Sequence, residues 1–223
     1  MEAPKLEIAC FNLQSAIIAQ QGGADRIELC DDFSLGGLTP NYETFEIARK
    51  LITIPLFVMI RPRGGNFIYS DTELEQMKKD IIHFKKMNAD GFVFGLLKED
   101  LSINKNQNQQ LMELAKPLPC TFHRAFDVAK DLKNSLEAVI DCGFQTILTS
   151  GNRKAAIEGL KNLSCLIEYA NGRITIMPGG GVRSSNIDIL KEKLETSFFH
   201  SSAIIENDQA DINEIKLLKE KIS

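Results

Sequence analysis

Short apolar, β-rich runs alternate along the chain with longer stretches whose apolar positions recur every three or four residues. The short runs are Lys5–Cys10, Arg26–Cys30, Pro55–Arg61, Gly91–Leu96, Pro119–Arg124, Gln145–Ser150, Arg173–Pro178 and Phe198–Ala203. Their starts lie 21 to 36 residues apart, the length of one strand–helix unit. Between them, Ser70-Asp71-Thr72-Glu73 is a capping box that opens a helix over Thr72–Met87, with Ile81, Phe84 and Met87 on one face. Helices over Asp131–Cys142 and Asn152–Ala170 should stop at Gly143 and Gly172, a residue type that tolerates the left-handed position after a helix. Ala210–Ile222 reads as a closing amphipathic helix. Eight strands alternating with eight helices, without a linker or a shift in composition, predict an α/β fold. It is expected to be a (β/α)8 TIM barrel, a single domain over residues 1–223. A doubly wound open sheet is the rival, but it normally carries a glycine fingerprint after its first strand, and Cys10-Phe11-Asn12-Leu13-Gln14 has none.

Composition narrows the partners. With 43% apolar and 25% charged residues in 223, the chain is ordinary globular protein and needs no staple to hold a core. The net charge of −4 argues against nucleic acid or an anionic membrane as partner. The visible lysines (Lys191 and Lys193; Lys216, Lys219 and Lys221) alternate with carboxylates as on a solvated helix face. The longest apolar stretch, Ile52–Ile60, is broken by Thr53 and Pro55 and is far short of a membrane span. The N-terminus lacks the basic start and apolar run of a secretory signal. Five widely spaced cysteines without a CxxC suit free thiols in a reducing compartment. A cytoplasmic location is therefore expected.

A TIM barrel works at the C-terminal ends of its strands. Those ends carry Cys10, then Glu28 and Cys30, then Arg61-Pro62-Arg63, His123-Arg124 with Asp127, Ser150-Gly151, Gly179-Gly180-Gly181, and His200-Ser201-Ser202. The opposite rim receives proline, lysine and small residues, and that asymmetry points to a site. Strand alternation turns Glu28 inward, where a lone charge is costly, and Arg61 on the next strand is its natural partner. The two could be a packing ion pair, or could present a carboxylate and a guanidinium to a polar ligand. His123 and His200 are candidate acid–base groups, or else core histidines; His83 lies among lysines and is expected on the surface. The 179–181 glycines suggest backbone N–H groups that approach an anion, with Arg63, Ser150 and Ser201 as helpers; a tight turn is the alternative. No Walker motif accompanies them, so no nucleotide cofactor is expected. Cys10 and Cys30 end neighbouring strands, and two close thiols would suit Cu(I); otherwise they are packing thiols, as Cys120, Cys142 and Cys165 are expected to be.

Several strings together resemble the CutC family. They are Gly22-Gly-Ala-Asp-Arg26-Ile-Glu28-Leu-Cys30, Gly36-Gly-Leu-Thr-Pro40, Met59-Ile-Arg61-Pro-Arg63-Gly-Gly, Phe122-His123-Arg124-Ala-Phe-Asp127, Leu148-Thr-Ser150-Gly and Ile176-Met-Pro-Gly179-Gly-Gly. The resemblance implies a cytoplasmic TIM barrel, often a homo-oligomer, named for copper homeostasis and proposed to bind Cu(I). Carried over residue by residue, it makes Cys10 and Cys30 the Cu(I) candidates. It also makes Glu28, Arg61, Arg63, His123, Arg124, Asp127 and His200 the polar rim of a site. Two functions stay open: a copper-binding protein, and a lyase, isomerase or hydrolase acting on a small anionic or phosphorylated substrate. A pure interaction module is the third and weakest reading.

Overall fold

The computed structural model describes residues 3–223; the first two positions of the expected 1–223 span lie outside the described residues. Eight strands and eight α-helices alternate through the described residues: β1 (Lys5–Cys10), α1 (Leu13–Gly22), β2 (Arg26–Leu29), α2 (Tyr42–Leu51), β3 (Leu56–Met59), α3 (Asp71–Lys86), β4 (Gly91–Phe94) and α4 (Lys105–Ala115). The second half continues with β5 (Cys120–Phe122), α5 (Leu132–Cys142), β6 (Thr146–Thr149), α6 (Leu160–Ala170), β7 (Thr175–Pro178), α7 (Ile187–Lys193), β8 (Phe198–Ser201) and α8 (Ile212–Ile222). All strand pairings are parallel, in the order β7-β6-β5-β4-β3-β2-β1-β8. At the β7–β8 seam the Thr196 hydroxyl donates to the Ile176 carbonyl at 2.5 Å. The expected TIM barrel is what the chain forms.

Local chemistry sets the boundaries. Ser70 accepts from the Glu73 N–H while the Glu73 carboxylate accepts from Ser70, so the capping box is reciprocal and α3 starts at Asp71. Asp131 and Asp211 cap α5 and α8 from just outside them. The helix expected over Asn152–Ala170 is shorter. Gly151 and Asn152 take left-handed backbone (φ 72° and 56°), which turns the chain away, and only a 3-10 turn at Ala156–Gly159 precedes α6.

Alternation divides the buried side chains into two layers. Leu6, Ile8, Ile27, Leu29, Val58, Phe92, Phe94 and Phe122 face the helices and join the main core with Phe45 and Phe84. Burying each such side chain stabilises the fold by about 1.5–3 kcal/mol. The inner layer is smaller and holds Cys30, Phe57, Met59 and Val93. Gly91 belongs there by steric necessity: a Cβ on it would sit 2.4 Å from the Phe57 ring. Below them the interior is charged. Arg26 ion-pairs with Glu7, and its guanidinium carbon lies 4.3 Å from the ring centres of both Phe57 and Phe198.

Candidate active site at the barrel mouth

Residues of β1, β2, β3, β6 and β8 and of the segments after β1, β2, β3, β5, β7 and β8 enclose a cavity of about 250 Å³ at the C-terminal ends of the strands. Its floor is acidic and basic at once. Register places Glu7 between Arg26 and His200, so one carboxylate meets two cationic partners. His200 Nδ1 lies 2.8 Å from Glu7 Oε1, and its Nε2 lies 3.8 Å from Glu28 Oε2. The second contact is at ion-pair range and too long for a direct hydrogen bond. Glu28 Oε1 is buried without a partner among the described residues.

These contacts set the protonation of the three groups. Burial pushes Glu7 up, but the Arg26 charge and the His200 hydrogen bond outweigh it and hold the carboxyl below its ordinary value. Burial likewise opposes the charged form of His200, yet the Glu7 hydrogen bond and the charges of Glu28 and Glu7 keep it raised. Glu28 has weaker support. Burial raises it to about 7, with Glu7 adding to the rise and His200 and Arg26 limiting it. A carboxyl titrating near neutrality can both take and give a proton at working pH.

The side of the mouth formed after β5, β7 and β8 is basic, with Arg124 and Arg183 lining it. Gly180 and Gly181 line the cavity in left-handed backbone (φ 91° and 71°) that other residues adopt only with strain. A Cβ on Gly180 would meet the Arg124 guanidinium at 3.1 Å. Arg124 is aimed there by Asp127 Oδ2 (2.7 Å) and the Ser150 hydroxyl (3.1 Å). Arg183 reaches the same wall and donates to the Ser201 and Ser202 hydroxyls at 3.0 and 3.4 Å.

The remaining candidates divide. Arg61 borders the cavity but does not pair with Glu28. Its guanidinium donates to the carbonyls of Leu35 (2.7 Å), Gly37 (2.9 Å) and Gly65 (3.3 Å), so it fastens the loop after β2 to the loop after β3. The expected Glu28–Arg61 pair is thus replaced by Glu28 beside His200: the loop carbonyls engage both terminal nitrogens of Arg61, while its buried Nε has no partner among the described residues. Arg63 is outside the cavity, in an ion pair with Glu73 (2.5 Å) and 5.1 Å from the Tyr69 ring centre. Asp127 and Ser150 sit behind the wall: Asp127 accepts from the Thr149 hydroxyl and the Ser150 N–H, and the Ser150 hydroxyl is spent on Asp127 and the Arg153 carbonyl. Gly179 is packed against Leu148 and His200 and does not line the cavity.

The cysteines part company. Cys10 pairs in register with Leu29, so its thiol joins the layer facing the helices, whereas Cys30 follows Arg26 and Glu28 on the inner face and lines the cavity. The pairing of thiols expected from neighbouring strand ends is therefore split across the sheet. Burial, then the Glu28 charge, raises both thiols well above their ordinary value. Cys30 shares its small inner cluster with Met59 of β3, and both line the cavity.

Glu7, Arg26, Arg183 and Met59 are site residues that strand-end reading misses. Glu7 had a signal: it shares the inward face with Ala9 and interrupts the apolar run Leu6–Cys10. Arg183 lies in a loop whose path no periodicity reveals.

The CutC family profile matches residues 4–205. A human protein named copper homeostasis protein cutC homolog is 48% identical over 198 residues, covering 89% of this chain and 72% of its own. The Caenorhabditis elegans protein of the same name is 42% identical over 217 residues, covering 97% of this chain and 87% of its own. The crystal structure of a CutC from Streptococcus agalactiae superposes with a TM-score of 0.85 at 35% identity, covering 89% of this chain and 98% of that one.

Proposed function

The chain belongs to the CutC family, and from that premise we propose that its mouth cavity is an enzymatic site in which a small anionic substrate exchanges a proton with Glu28. One observation carries this reading: a buried carboxyl poised near neutrality shares a 250 Å³ cavity with three arginines, Arg61, Arg124 and Arg183, and a glycine backbone. Arg124, Arg183 and the N–H groups near Gly180 and Gly181 hold the anion. His200, oriented by Glu7, stabilises the Glu28 carboxylate whenever the proton is away. The reaction class is a lyase, isomerase or hydrolase step on a phosphorylated or carboxylated molecule small enough for the cavity.

Calorimetric titration with inorganic phosphate tests it. Arg124→Gln should weaken phosphate binding by about ten-fold, since a charge-assisted bond contributes about 1.5–3 kcal/mol. Phosphate that binds the variant as it binds the wild type would place the anion elsewhere and overturn the assignment.

A second reading comes from the relatives' name, copper homeostasis. Here Cu(I) is cargo, held by Cys30 with the soft thioether of Met59 beside it; Cys10 faces the helices and would have to turn through the sheet to join them. Because the metal must displace a thiol proton, affinity should rise with pH. In an anaerobic Cu(I) titration against a competing chelator, Cys30→Ser should lose tight binding and Cys10→Ser should keep it. Retention by Cys30→Ser would remove copper from this cavity. The five free cysteines support a reducing, cytoplasmic setting. No helix among the described residues is long and apolar enough to cross a membrane. A homo-oligomer, carried over from the family, completes the proposal and is read by sedimentation.

A further inference from the structure

His123 sits at the end of β5, one residue before Arg124, and is 4% exposed. It is the N-cap of the 3-10 turn Arg124–Val128: its Nδ1 accepts the Ala125 N–H at 3.3 Å. An imidazole nitrogen that accepts cannot carry the proton, so the ring hydrogen is on Nε2. Nε2 has no protein partner among the described residues, and the ring lines the mouth cavity. The ring is also fixed. Phe67 lies 4.9 Å away between centres, and Gly95 leaves room that any larger residue would take, since a Cβ there would come within 2.9 Å of Nδ1. Burial, with the Arg61 charge adding to it, depresses the imidazole to about 3. The ring is neutral at any physiological pH.

The cavity therefore holds two kinds of donor. Arg124 and Arg183 carry full charge and suit an oxygen that is always negative. A neutral N–H on a rigid, nearly buried ring that faces the cavity suits an oxygen that is uncharged when the substrate binds and gains charge only as it reacts. We infer that His123 is a fixed Nε2–H donor to a carbonyl oxygen, and that the substrate is a small anion bearing a carbonyl group. This rests on the anion-site reading above and narrows it. It also removes His123 from the acid–base role that its position at a strand end suggests. The arginines bind the permanent charge, and the imidazole polarises the carbonyl.

The His123→Asn variant separates capping from ligand binding. Asparagine is itself a good cap and can accept the Ala125 N–H, but it has no atom where Nε2 stands. The probes are inorganic phosphate, which fills the charged end alone, and 2-phosphoglycolate, which joins a phosphate to a planar carboxylate resembling an enediolate. Wild type should bind 2-phosphoglycolate more tightly than phosphate. His123→Asn should remove that advantage, a loss of about ten-fold or more, with phosphate affinity retained. In wild type, nitrogen-edited NMR should show a proton on Nε2 and none on Nδ1, with the Nε2 proton moving downfield when 2-phosphoglycolate binds.

An unmoved Nε2 proton, a proton on Nδ1, or an advantage that survives in His123→Asn would overturn the inference while leaving the anion site standing. If wild type binds neither probe, the anion-site reading itself fails and this inference falls with it. Should His123→Asn not fold, the NMR measurement on wild type decides alone.

Discussion

Glu28 differs from its neighbours less by its chemistry than by its lack of company. Glu7 has Arg26 and His200 against it, so its carboxyl stays ionised although it is wholly buried. Glu28 has His200 only at 3.8 Å and one oxygen without a partner, so burial wins and its proton holds on to about pH 7. That difference has a thermodynamic sign. A carboxyl with a raised value in the fold binds its proton more tightly folded than unfolded, so it contributes stability fully below about pH 4.5 and loses it as pH rises through about 7. His200, also raised, acts in the same direction as it deprotonates. We expect the melting temperature to fall between pH 6 and 8, and the slope to flatten in Glu28→Gln. His123, depressed in the fold, adds a small opposing rise just above pH 6, so the comparison between proteins decides: the same slope in wild type and in Glu28→Gln would show that Glu28 is already ionised.

At the level of elements, two features have measurable weight. β4 can pass beside β3 only because Gly91 leaves space for the Phe57 ring. Gly91→Ala should cost about 1–3 kcal/mol through overpacking, read as a lower denaturant midpoint with unchanged slope. The loop after β2 is the other. Asp31 and Leu38 pair across it, and Arg61 grips its Leu35 and Gly37 carbonyls from just after β3. Arg61→Ala should free this loop over the mouth: proteolytic nicking within residues 31–38 should quicken, while α3 and the rest of the barrel keep their hydrogen-exchange protection. The strands themselves were legible because parallel barrel strands read as apolar runs bounded by turn residues, and Lys5–Cys10 matches its run residue for residue. Their ends were less so. Arg26–Cys30 and Pro55–Arg61 reach past strands that end at Leu29 and Met59, because inward residues such as Cys30 and Arg61 continue the pattern. Cys30 still donates its N–H to Cys10 on β1, and Ile60 donates to Val93 on β4. The candidate site was legible where a residue projects inward from a strand end, as Glu28, His123 and His200 do. It was not where a side chain's partner is set by a loop: Arg61 and Arg63 turned to carbonyls and to Glu73, and no spacing in the sequence encodes those loop paths.

The molecule as a whole separates support from chemistry by the faces of one sheet. Outward positions carry the large apolar side chains that hold the helices, and their pattern alone specified the architecture. Inward positions hold few apolar residues and several charged ones, so the inner layer is the region where this fold gives up hydrophobic stabilisation. Beneath the cavity, Arg26 lies between Phe57 and Phe198 and is tied to Glu7, which fills the barrel below its mouth. The result is a vessel with a floor. A solute that enters past the arginines must leave by the way it came, so a product that keeps its negative group would occupy the threshold its successor needs. Turnover in such a vessel would be governed by departure, and slowed by its own accumulating product.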